Sequence, residues 1–300
     1  GRNTVLQPYD STYDPLVAKS PGRGLDYAPS YWVASAGAPP EDDGPIAGDC
    51  DVDVVVVGGG STGMSTAMYL AEDHGIKAVV LEANQTAWGC SSRSGGQGQN
   101  ASGRLSRSQW IERWGMDTAK RLDTEIRRGF DNFKQLTKDI ECEAFDGGHL
   151  YMAHKPAKMA YLRNMAQVRN DYFGYQTKIL SAEEVRERYC DEREHFGAML
   201  EEEGVGVHPL KLTFGIMRKA RAMGVKVHPA SPVQGLTTVN GIHHIQTPGG
   251  VVRAKRVVFC TGGYTWQKMH KVTKNKILPI LSNSVVTRPL TDAELAACNF

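Results

Sequence analysis

A strand, a glycine-rich turn and a helix follow one another from residue 52, and this order limits the possible folds more than any other feature. Residues 52–57 form a β-branched apolar run, which is typical of a strand buried on both faces of a parallel sheet. The turn after it carries Gly58, Gly60 and Gly63 in the spacing G-x-G-x-x-G. Apolar residues at helical spacing then continue to Gly75, where we expect the helix to end. The pattern predicts the first β-α-β unit of a dinucleotide-binding domain.

Each residue type in this unit has a physical role toward a dinucleotide. The first glycine allows the tight turn, the second lets the backbone approach a pyrophosphate, and the third lets helix and strand pack closely. The helix N-terminus offers free N–H groups to the phosphates. Glu82 ends the next predicted strand, nineteen residues after Gly63. A carboxylate there can accept both ribose hydroxyls, and with no arginine nearby it argues against the 2′-phosphate of NADP.

FAD and NAD share this fingerprint, and the next loop distinguishes them. Residues 88–98, Trp-Gly-Cys-Ser-Ser-Arg-Ser-Gly-Gly-Gln-Gly, form a second element rich in glycines and hydroxyl groups. A simple NAD domain does not need it, whereas the second phosphate, ribityl chain and ring of a flavin need small residues and backbone donors beside them. The loop therefore favours FAD over NAD.

The remaining chain is predicted to be a proline-rich irregular arm followed by mixed helices and strands. The arm is residues 1–48, and its Tyr27, Tyr31 and Trp32 indicate that it packs against the body in places. A long loop is expected over 84–104. The further predicted elements are helices over 108–140, 156–171, from Ser181, and from Pro209 to Gly224, and strands over 148–153, 225–228, 233–239, 242–247 and 251–259.

Composition excludes some partners. The formal net charge of +2 over 300 residues does not indicate nucleic acid or a membrane surface. We find no apolar run near the length of a membrane span and no signal-peptide pattern at the start, so cytoplasmic residence is the expectation. The six cysteines have no zinc-type spacing and are expected to be free thiols. Oligomeric state cannot be read from the sequence.

The chain resembles the D-amino-acid-oxidase-type FAD-dependent oxidoreductases. The matching stretches run from about residue 30 to the end, and the two most specific are Trp88–Gln97 and Val207–Leu212 with its His208-Pro209 pair. The others are Ser30-Tyr31-Trp32, Val54–Leu70, Val80–Ala83, Ile277-Leu278-Pro279 and Thr287–Leu290.

The resemblance implies a set of residues around a non-covalently bound FAD. It places the glycine turn at the pyrophosphate, Glu82 at the adenosine ribose and the backbone of Val233 at the adenine. Thr261, Gly262 and Gly263 form a second approach to the dinucleotide. The full predicted set is Gly58, Gly59, Gly60, Ser61, Thr62, Gly63, Glu82, Ala83, Trp88, Gly89, Ser91, Ser92, Arg93, Gly95, Gly96, Gln97, Val233, Thr261, Gly262 and Gly263.

Two departures from the family pattern matter. Cys90 stands where the family usually has alanine, and we interpret it as a small buried thiol, not a covalent flavin link. The family also has a further segment after residues 287–290, with part of the flavin contact and much of the substrate pocket. The chain ends at Phe300 without it, so we expect either a fragment or a shortened protein.

Three residues are candidates for catalytic roles. Arg93 could balance the charge of a reduced flavin or a substrate carboxylate, or hold the loop by hydrogen bonds to carbonyls. His208 could handle an amine proton, but a structural hydrogen bond at the helix entry is favoured. Tyr151 lies on a strand of the predicted substrate domain, and it could likewise handle a proton of the substrate or form a structural hydrogen bond. No metal site is expected, because His243 and His244 would point to opposite faces of a strand.

These observations together predict an α/β fold. A Rossmann-type FAD-binding domain with a parallel sheet is interrupted by an incomplete α+β substrate domain with a mostly antiparallel sheet. The predicted FAD-binding domain is 49–145 and 203–272, and the substrate domain is 146–202 and 273–300.

The predicted function is oxidation of a small amine or amino acid by hydride transfer to the flavin. The imine then hydrolyses to an aldehyde and an amine, and oxygen or another acceptor reoxidises the flavin. The alternatives are an NAD-dependent dehydrogenase and a truncated, non-catalytic FAD-binding chain.

Overall fold

The computed structural model of the chain describes residues 10–18 and 22–299. The helices are α1 Tyr31–Ser35, α2 Ser61–His74, α3 Arg107–Asp139, α4 Pro156–Phe173, α5 Ala182–Arg188, α6 Pro209–Ala222 and α7 Asp292–Ala297. The strands are β1 Cys50–Val57, β2 Val79–Leu81, β3 Gln97–Gln99, β4 Phe145–Asp146, β5 His149–Met152, β6 Lys178–Leu180, β7 Ala198–Glu201, β8 Gly204–Gly206, β9 Lys226–His228, β10 Gly235–Val239, β11 Ile242–Thr247 and β12 Gly250–Phe259. Short 3-10 helices span Ser11–Tyr13, Cys90–Ser92 and Gly262–Tyr264.

Contacts between residues divide the chain into two compact units. Unit 1 comprises residues 1–95, 140–142 and 208–285, and unit 2 comprises 96–139, 143–207 and 286–300. The grouping assigns α3 to unit 2, whereas the sequence placed these residues in the FAD-binding domain. The predicted domain boundaries stay a prediction.

Unit 1 is built on a six-stranded sheet in the order β10-β11-β12-β1-β2-β9. The strands β12, β1, β2 and β9 run parallel to one another, whereas β10, β11 and β12 form the predicted antiparallel meander. The interior position of β1 requires apolar residues on both of its faces. Val55 and Val56 are fully buried on opposite faces, as the β-branched run predicted. This confirms the Rossmann-type half of the predicted fold.

Unit 2 contains two three-stranded sheets in the orders β3-β8-β4 and β5-β7-β6. All of their strand pairs are antiparallel, which confirms the mostly antiparallel second half of the fold. The prediction of a loop throughout 84–104 was wrong at β3. Its polar residues give no strand signal, and the strand forms because the backbone of Gln97–Gln99 pairs with Gly204–Gly206.

The N-terminal arm is less irregular than its prolines indicated. Ser30 caps a short helix, α1, by accepting the Val33 N–H at 3.3 Å, between the prolines at 29 and 39. The predicted packing against the body is confirmed, because the Trp88 indole donates to Asp26 O at 2.7 Å and the Tyr27 hydroxyl donates to Thr86 O at 2.6 Å. Residues 1–9 and 19–21 of the arm, and the terminal Phe300, lie outside the described residues.

The predicted helices are present, with one break. Within α3, Gly115 has φ 79° and ψ 165°, so two helical segments meet there. Both α2 and α6 have the predicted bounds, and the chain leaves α2 through Gly75 at φ 66°. Ser181 and Glu184 form the predicted capping box at α5. Among the described residues, none of the helices is both long and apolar enough to cross a membrane.

Candidate nucleotide-binding site

A cavity in unit 1 opens at the carboxyl ends of the parallel strands β1, β2 and β12. The segments that line it include the glycine turn, the end of β2, the loop at 88–91 and the residues after β12. The predicted cofactor residues that line it are Gly58, Gly60, Ser61, Thr62, Glu82, Ala83, Trp88, Gly89, Ser91, Val233, Thr261, Gly262 and Gly263. Ligands of open α/β sheets bind at this edge, so the placement is the one expected for a dinucleotide.

The backbone of the turn requires glycine at two positions. Gly58 has φ 108°, and a Cβ there would lie 2.5 Å from the carbonyl oxygen of Cys260. A Cβ on Gly63 would lie 1.9 Å from the carbonyl oxygen of Gly58. These contacts let the turn, the start of α2 and the end of β12 pack closely.

Glu82 fixes the edge of the cavity. Its Oε2 accepts the Gly59 N–H at 2.7 Å, and its Oε1 accepts the Asn84 N–H at 2.9 Å. Burial raises the pKa of the Glu82 carboxyl above its ordinary value, although these backbone donors act in the opposite direction. Backbone N–H groups occupy only part of the roughly four acceptor positions of the carboxylate, so the remainder is open to the hydroxyls of a ribose.

Ser91 joins the second loop to the start of α2. Its hydroxyl oxygen accepts the Ser61 N–H at 2.9 Å and the Ser61 hydroxyl at 3.0 Å, and the hydroxyls of Ser61 and Thr213 lie 2.6 Å apart. Ser61 and Thr62, the first two residues of α2, both line the cavity. A cavity lined by this helix start, a glycine cradle and a carboxylate fits the phosphates and the ribose of a dinucleotide.

Arg93 occupies a cluster of aromatic residues in unit 1. Its guanidinium carbon lies 4.7 Å from the ring centroids of Tyr13 and Trp88, and 5.6 Å from that of Tyr264. Its Nη1 donates to the Tyr264 hydroxyl at 2.7 Å, and its Nη2 donates to Trp88 O at 2.8 Å. Of the two interpretations open for this residue, these contacts support the one in which it holds the loop.

The remaining predicted cofactor residues are not among those that line the cavity. Gly59 and Gly63 shape the turn behind it, and the buried Ser92 hydroxyl bonds the carbonyl oxygens of Trp88 and Gly89. Gly95 lies at the end of the unit 1 segment, while Gly96 and Gln97 belong to unit 2. Their contact with a flavin stays a prediction.

His208 is a helix cap in this structure. It is buried, its Nδ1 accepts the Lys211 N–H at 3.2 Å, and its Nε2 lies 3.1 Å from the Ser35 hydroxyl. Both ring nitrogens therefore have structural partners, and the ring also contacts Trp32 edge-on at 4.9 Å. These contacts support the structural interpretation of His208 over a role in proton transfer.

Tyr151 belongs to a polar cluster in unit 2. Its hydroxyl donates to Gln99 Oε1 at 3.1 Å, and the amide nitrogen of Gln99 lies 2.8 Å from His149 Nδ1. Burial lowers the pKa of His149 and raises the pKa of Tyr151. A catalytic role for Tyr151 stays a prediction.

Sequence reasoning missed several residues that line the cavity. Thr12, Ala18, Gly22 and Leu25 of the arm contribute to its wall, as does Tyr264. The arm residues carry no periodic signal, since prolines interrupt any pattern there. Tyr264 directly follows the predicted Gly263, and its position after the buried strand β12 could have indicated it.

Comparisons with known proteins support the interpretation of the cavity as a dinucleotide site. A family model described as "FAD dependent oxidoreductase" matches residues 53–299. Gamma-glutamylputrescine oxidoreductase of Escherichia coli is 31% identical over 275 residues, covering 89% of this chain and 62% of the relative. The "Probable oxidoreductase OrdL" of Haemophilus influenzae is 28% identical over 246 residues, covering 80% of this chain and 56% of the relative. The chain thus spans about three fifths of the length of these relatives.

Solved structures share the fold. Glycine oxidase from Geobacillus kaustophilus superposes with a TM-score of 0.60 at 20% identity, over 71% of this chain and 56% of that structure. This likeness is of the fold alone.

Proposed function

Because the chain belongs to the family of FAD-dependent oxidoreductases, we propose that it binds FAD non-covalently in the cavity of unit 1 and oxidises a small amine or amino acid. The predicted resemblance to the D-amino-acid-oxidase type, and within it to gamma-glutamylputrescine oxidoreductase, is confirmed. Activity, substrate and acceptor are our proposals, since the chain covers 62% of that relative.

The main support for the proposal is the set of residues that line the cavity of unit 1. The first residues of α2, the Glu82 carboxylate, the loop at 88–91 and residues 261–263 all line it. In our assignment the turn and the start of α2 hold the pyrophosphate, and Glu82 accepts the ribose hydroxyls. Val233 lies at the adenine, and the loop at 88–91 lies toward the flavin. FAD held there would supply a hydride acceptor, so that an amine losing hydride from the carbon next to its nitrogen would become an imine, which water would hydrolyse to an aldehyde and an amine.

The residues of this chain contribute position and electrostatics. The Arg93 cluster holds the loop at 88–91 in place through Trp88 O. The arm residues Thr12 and Leu25 cover part of the cavity and reduce the access of water. We assign no side-chain base, because an amine that binds in its neutral form needs none. Oxygen or another acceptor would take the electrons, and we keep cytoplasmic residence as part of the proposal.

Visible absorbance and anaerobic reduction test the proposal. The purified protein should be yellow, and acid precipitation should release intact FAD into the supernatant. A panel of small amines and amino acids added without oxygen should bleach the flavin band for at least one compound. A colourless protein that binds NAD would instead support a nicotinamide-dependent dehydrogenase. Bound FAD that no amine bleaches would support a non-catalytic flavin-binding chain.

A further inference from the structure

A second cavity lies within unit 2, and the proposed function does not use it. Its wall is formed by residues 101–108, by one face of α4 and by the strands β5 and β7. The exposed Gly103 and Arg104 line it together with buried residues, so it opens to solvent on that side. Three buried charged side chains, those of Arg107, Arg169 and Glu201, line it, and buried charges of this kind call for partners.

One wall of this cavity carries a buried carboxylate that is only half satisfied. The Glu201 side chain is 4% exposed, and its Oε1 lies 3.2 Å from Nη1 of Arg169. Its Oε2 is buried and has no hydrogen-bond partner among the described residues. A buried oxygen without a donor costs free energy, so this position is suited to a ligand that carries N–H groups.

Two buried guanidinium groups in the same wall also have donors to spare. Arg107 uses Nε and Nη2 toward Asp123, Asn100 and Tyr175. Arg169 uses Nε toward Thr177 and Nη1 toward Glu201 and Asn100 O. None of the hydrogen bonds formed by the described residues uses Nη1 of Arg107 or Nη2 of Arg169. Paired guanidinium N–H groups of this kind match a carboxylate.

The wall carries charged groups of both signs, and this narrows the class of ligand. Asp123 pairs with Arg107 at 2.6 Å and with Arg127 at 2.8 Å, and Glu201 pairs with Arg169 at 3.2 Å. A molecule with both an ammonium and a carboxylate can use the free oxygen of Glu201 and the spare guanidinium N–H groups together, whereas a simple amine or a simple acid can use only one of them. Leu162, Met165 and Val168 line the cavity beside these groups and offer an apolar surface to the rest of the molecule.

We propose that the cavity of unit 2 binds an apolar α-amino acid, with its ammonium at Glu201 Oε2 and its carboxylate at the spare N–H groups of Arg107 and Arg169. The site is separate from the FAD assignment, since all of its residues belong to unit 2 and none lines the cavity of unit 1.

Calorimetric titration of the full chain, with whatever flavin it carries, tests the proposal. The probes are L-leucine, 4-methylpentanoate, which lacks the ammonium, and 3-methylbutylamine, which lacks the carboxylate. We expect L-leucine to bind at least about tenfold more tightly than either comparator, because each comparator loses a charged hydrogen-bonding group. Equal binding of the three compounds, or no binding of L-leucine, would overturn the proposal.

Three variants locate the site. Glu201→Gln keeps the side-chain shape and should weaken L-leucine at least about tenfold, but it should not weaken 4-methylpentanoate, because Arg169 loses its counter-charge. Glu202→Gln is the matched control, because Glu202 is the exposed neighbour that pairs with Lys178, and it should bind L-leucine like the unmodified chain. Ser102→Trp obstructs the cavity without removing the charged groups and should abolish the L-leucine signal.

The variants also distinguish a failure of the unit 2 site from a failure of FAD binding in unit 1. L-leucine binding that survives Ser102→Trp, or that is equal in the Gln variants at 201 and 202, would overturn the unit 2 site. If Glu201→Gln does not fold, the Ser102→Trp result decides alone. The flavin absorbance of each variant reports on unit 1, so loss of FAD and loss of L-leucine binding are read separately.

Discussion

At the scale of single residues, Glu82 has the strongest link to nucleotide choice. Glu82→Gln would place an amide NH2 group against one of the two backbone donors, at Gly59 or Asn84, and would remove the charge offered to the ribose. We expect FAD affinity to fall by about 10- to 100-fold, as for the loss of a charged hydrogen bond. Titration of the apoprotein followed by flavin fluorescence measures this change.

A surface carboxylate controls for the loss of charge alone. Glu72 lies exposed on α2, and Glu72→Gln should leave the FAD affinity unchanged. Equal FAD affinity of Glu82→Gln and Glu72→Gln would contradict the assignment of Glu82 to the ribose.

Asp123 is a buried carboxylate of unit 2 that pairs with both Arg107 and Arg127. Burial alone would raise the pKa of this carboxyl, but hydrogen bonds from Arg127 and Tyr175 and the charge of Arg107 hold it below its ordinary value of 3.8. Asp123→Asn leaves the buried Arg107 without its counter-charge, so we expect a loss of about 3–5 kcal/mol in the free energy of unfolding at pH 7. Urea unfolding followed by circular dichroism measures it.

The pH dependence of this loss has a definite sign. A carboxyl whose folded pKa is lowered contributes stability above its unfolded pKa and loses it as the pH falls through the folded value. The difference between the unmodified chain and Asp123→Asn should therefore shrink below about pH 4. Asp131→Asn, in the exposed pair with Lys134 on the same helix, should cost about 0–1 kcal/mol. A difference for Asp123→Asn that stays constant down to pH 3 would argue against the charge as its cause.

At the scale of elements, two glycines of α3 should respond in opposite ways to alanine. Gly129 is exposed, and a Cβ there would meet nothing within 4 Å, so Gly129→Ala should stabilise by about 0.5–1 kcal/mol. Gly115 has φ 79° at the junction of the two helical segments, so Gly115→Ala should destabilise by about 1–3 kcal/mol. Thermal and urea unfolding compare the two. Equal effects would contradict the break in the helix.

Elements with strong local signals could be predicted from the sequence, and elements held by distant pairing could not. The run 52–57, the capping box at Ser181 and the proline at 209 each specify their own structure, and all three were placed correctly. The strands β3, β4, β6, β7 and β8 were missed because each has only two to four residues and forms through partners elsewhere in the chain.

The residues of the nucleotide-binding site also divide into those with a local sequence signal and those placed by distant contacts. The glycine turn and Glu82 were predictable because their chemistry depends on local spacing. The contribution of the arm was not, because Leu25 reaches the cavity through a hydrogen bond from its N–H to the side chain of Asn84. No local pattern encodes a contact of this kind.

At the scale of the whole molecule, FAD should act as a stabilising ligand. A ligand that binds only the folded chain raises the free energy of unfolding by about 2.7 kcal/mol at a concentration one hundred times its Kd. The unfolding midpoint of the apoprotein should therefore rise steadily with added FAD. Riboflavin, which lacks the pyrophosphate and the adenosine, is the matched control and should stabilise far less. Equal shifts with FAD and riboflavin would show that the glycine turn and Glu82 are not used.

The strand order of the unit 1 sheet also determines when β1 can pair with each of its neighbours during translation. The strand β1 pairs on one side with β2, which is synthesised soon after it, and on the other side with β12, where Cys50 lies opposite Val252. At about 5–20 residues per second, roughly 10–40 seconds pass before that second neighbour exists. During this interval an apolar strand exposes an unpaired edge, so this edge is open to pairing with other chains until β12, which ends at Phe259, has been synthesised.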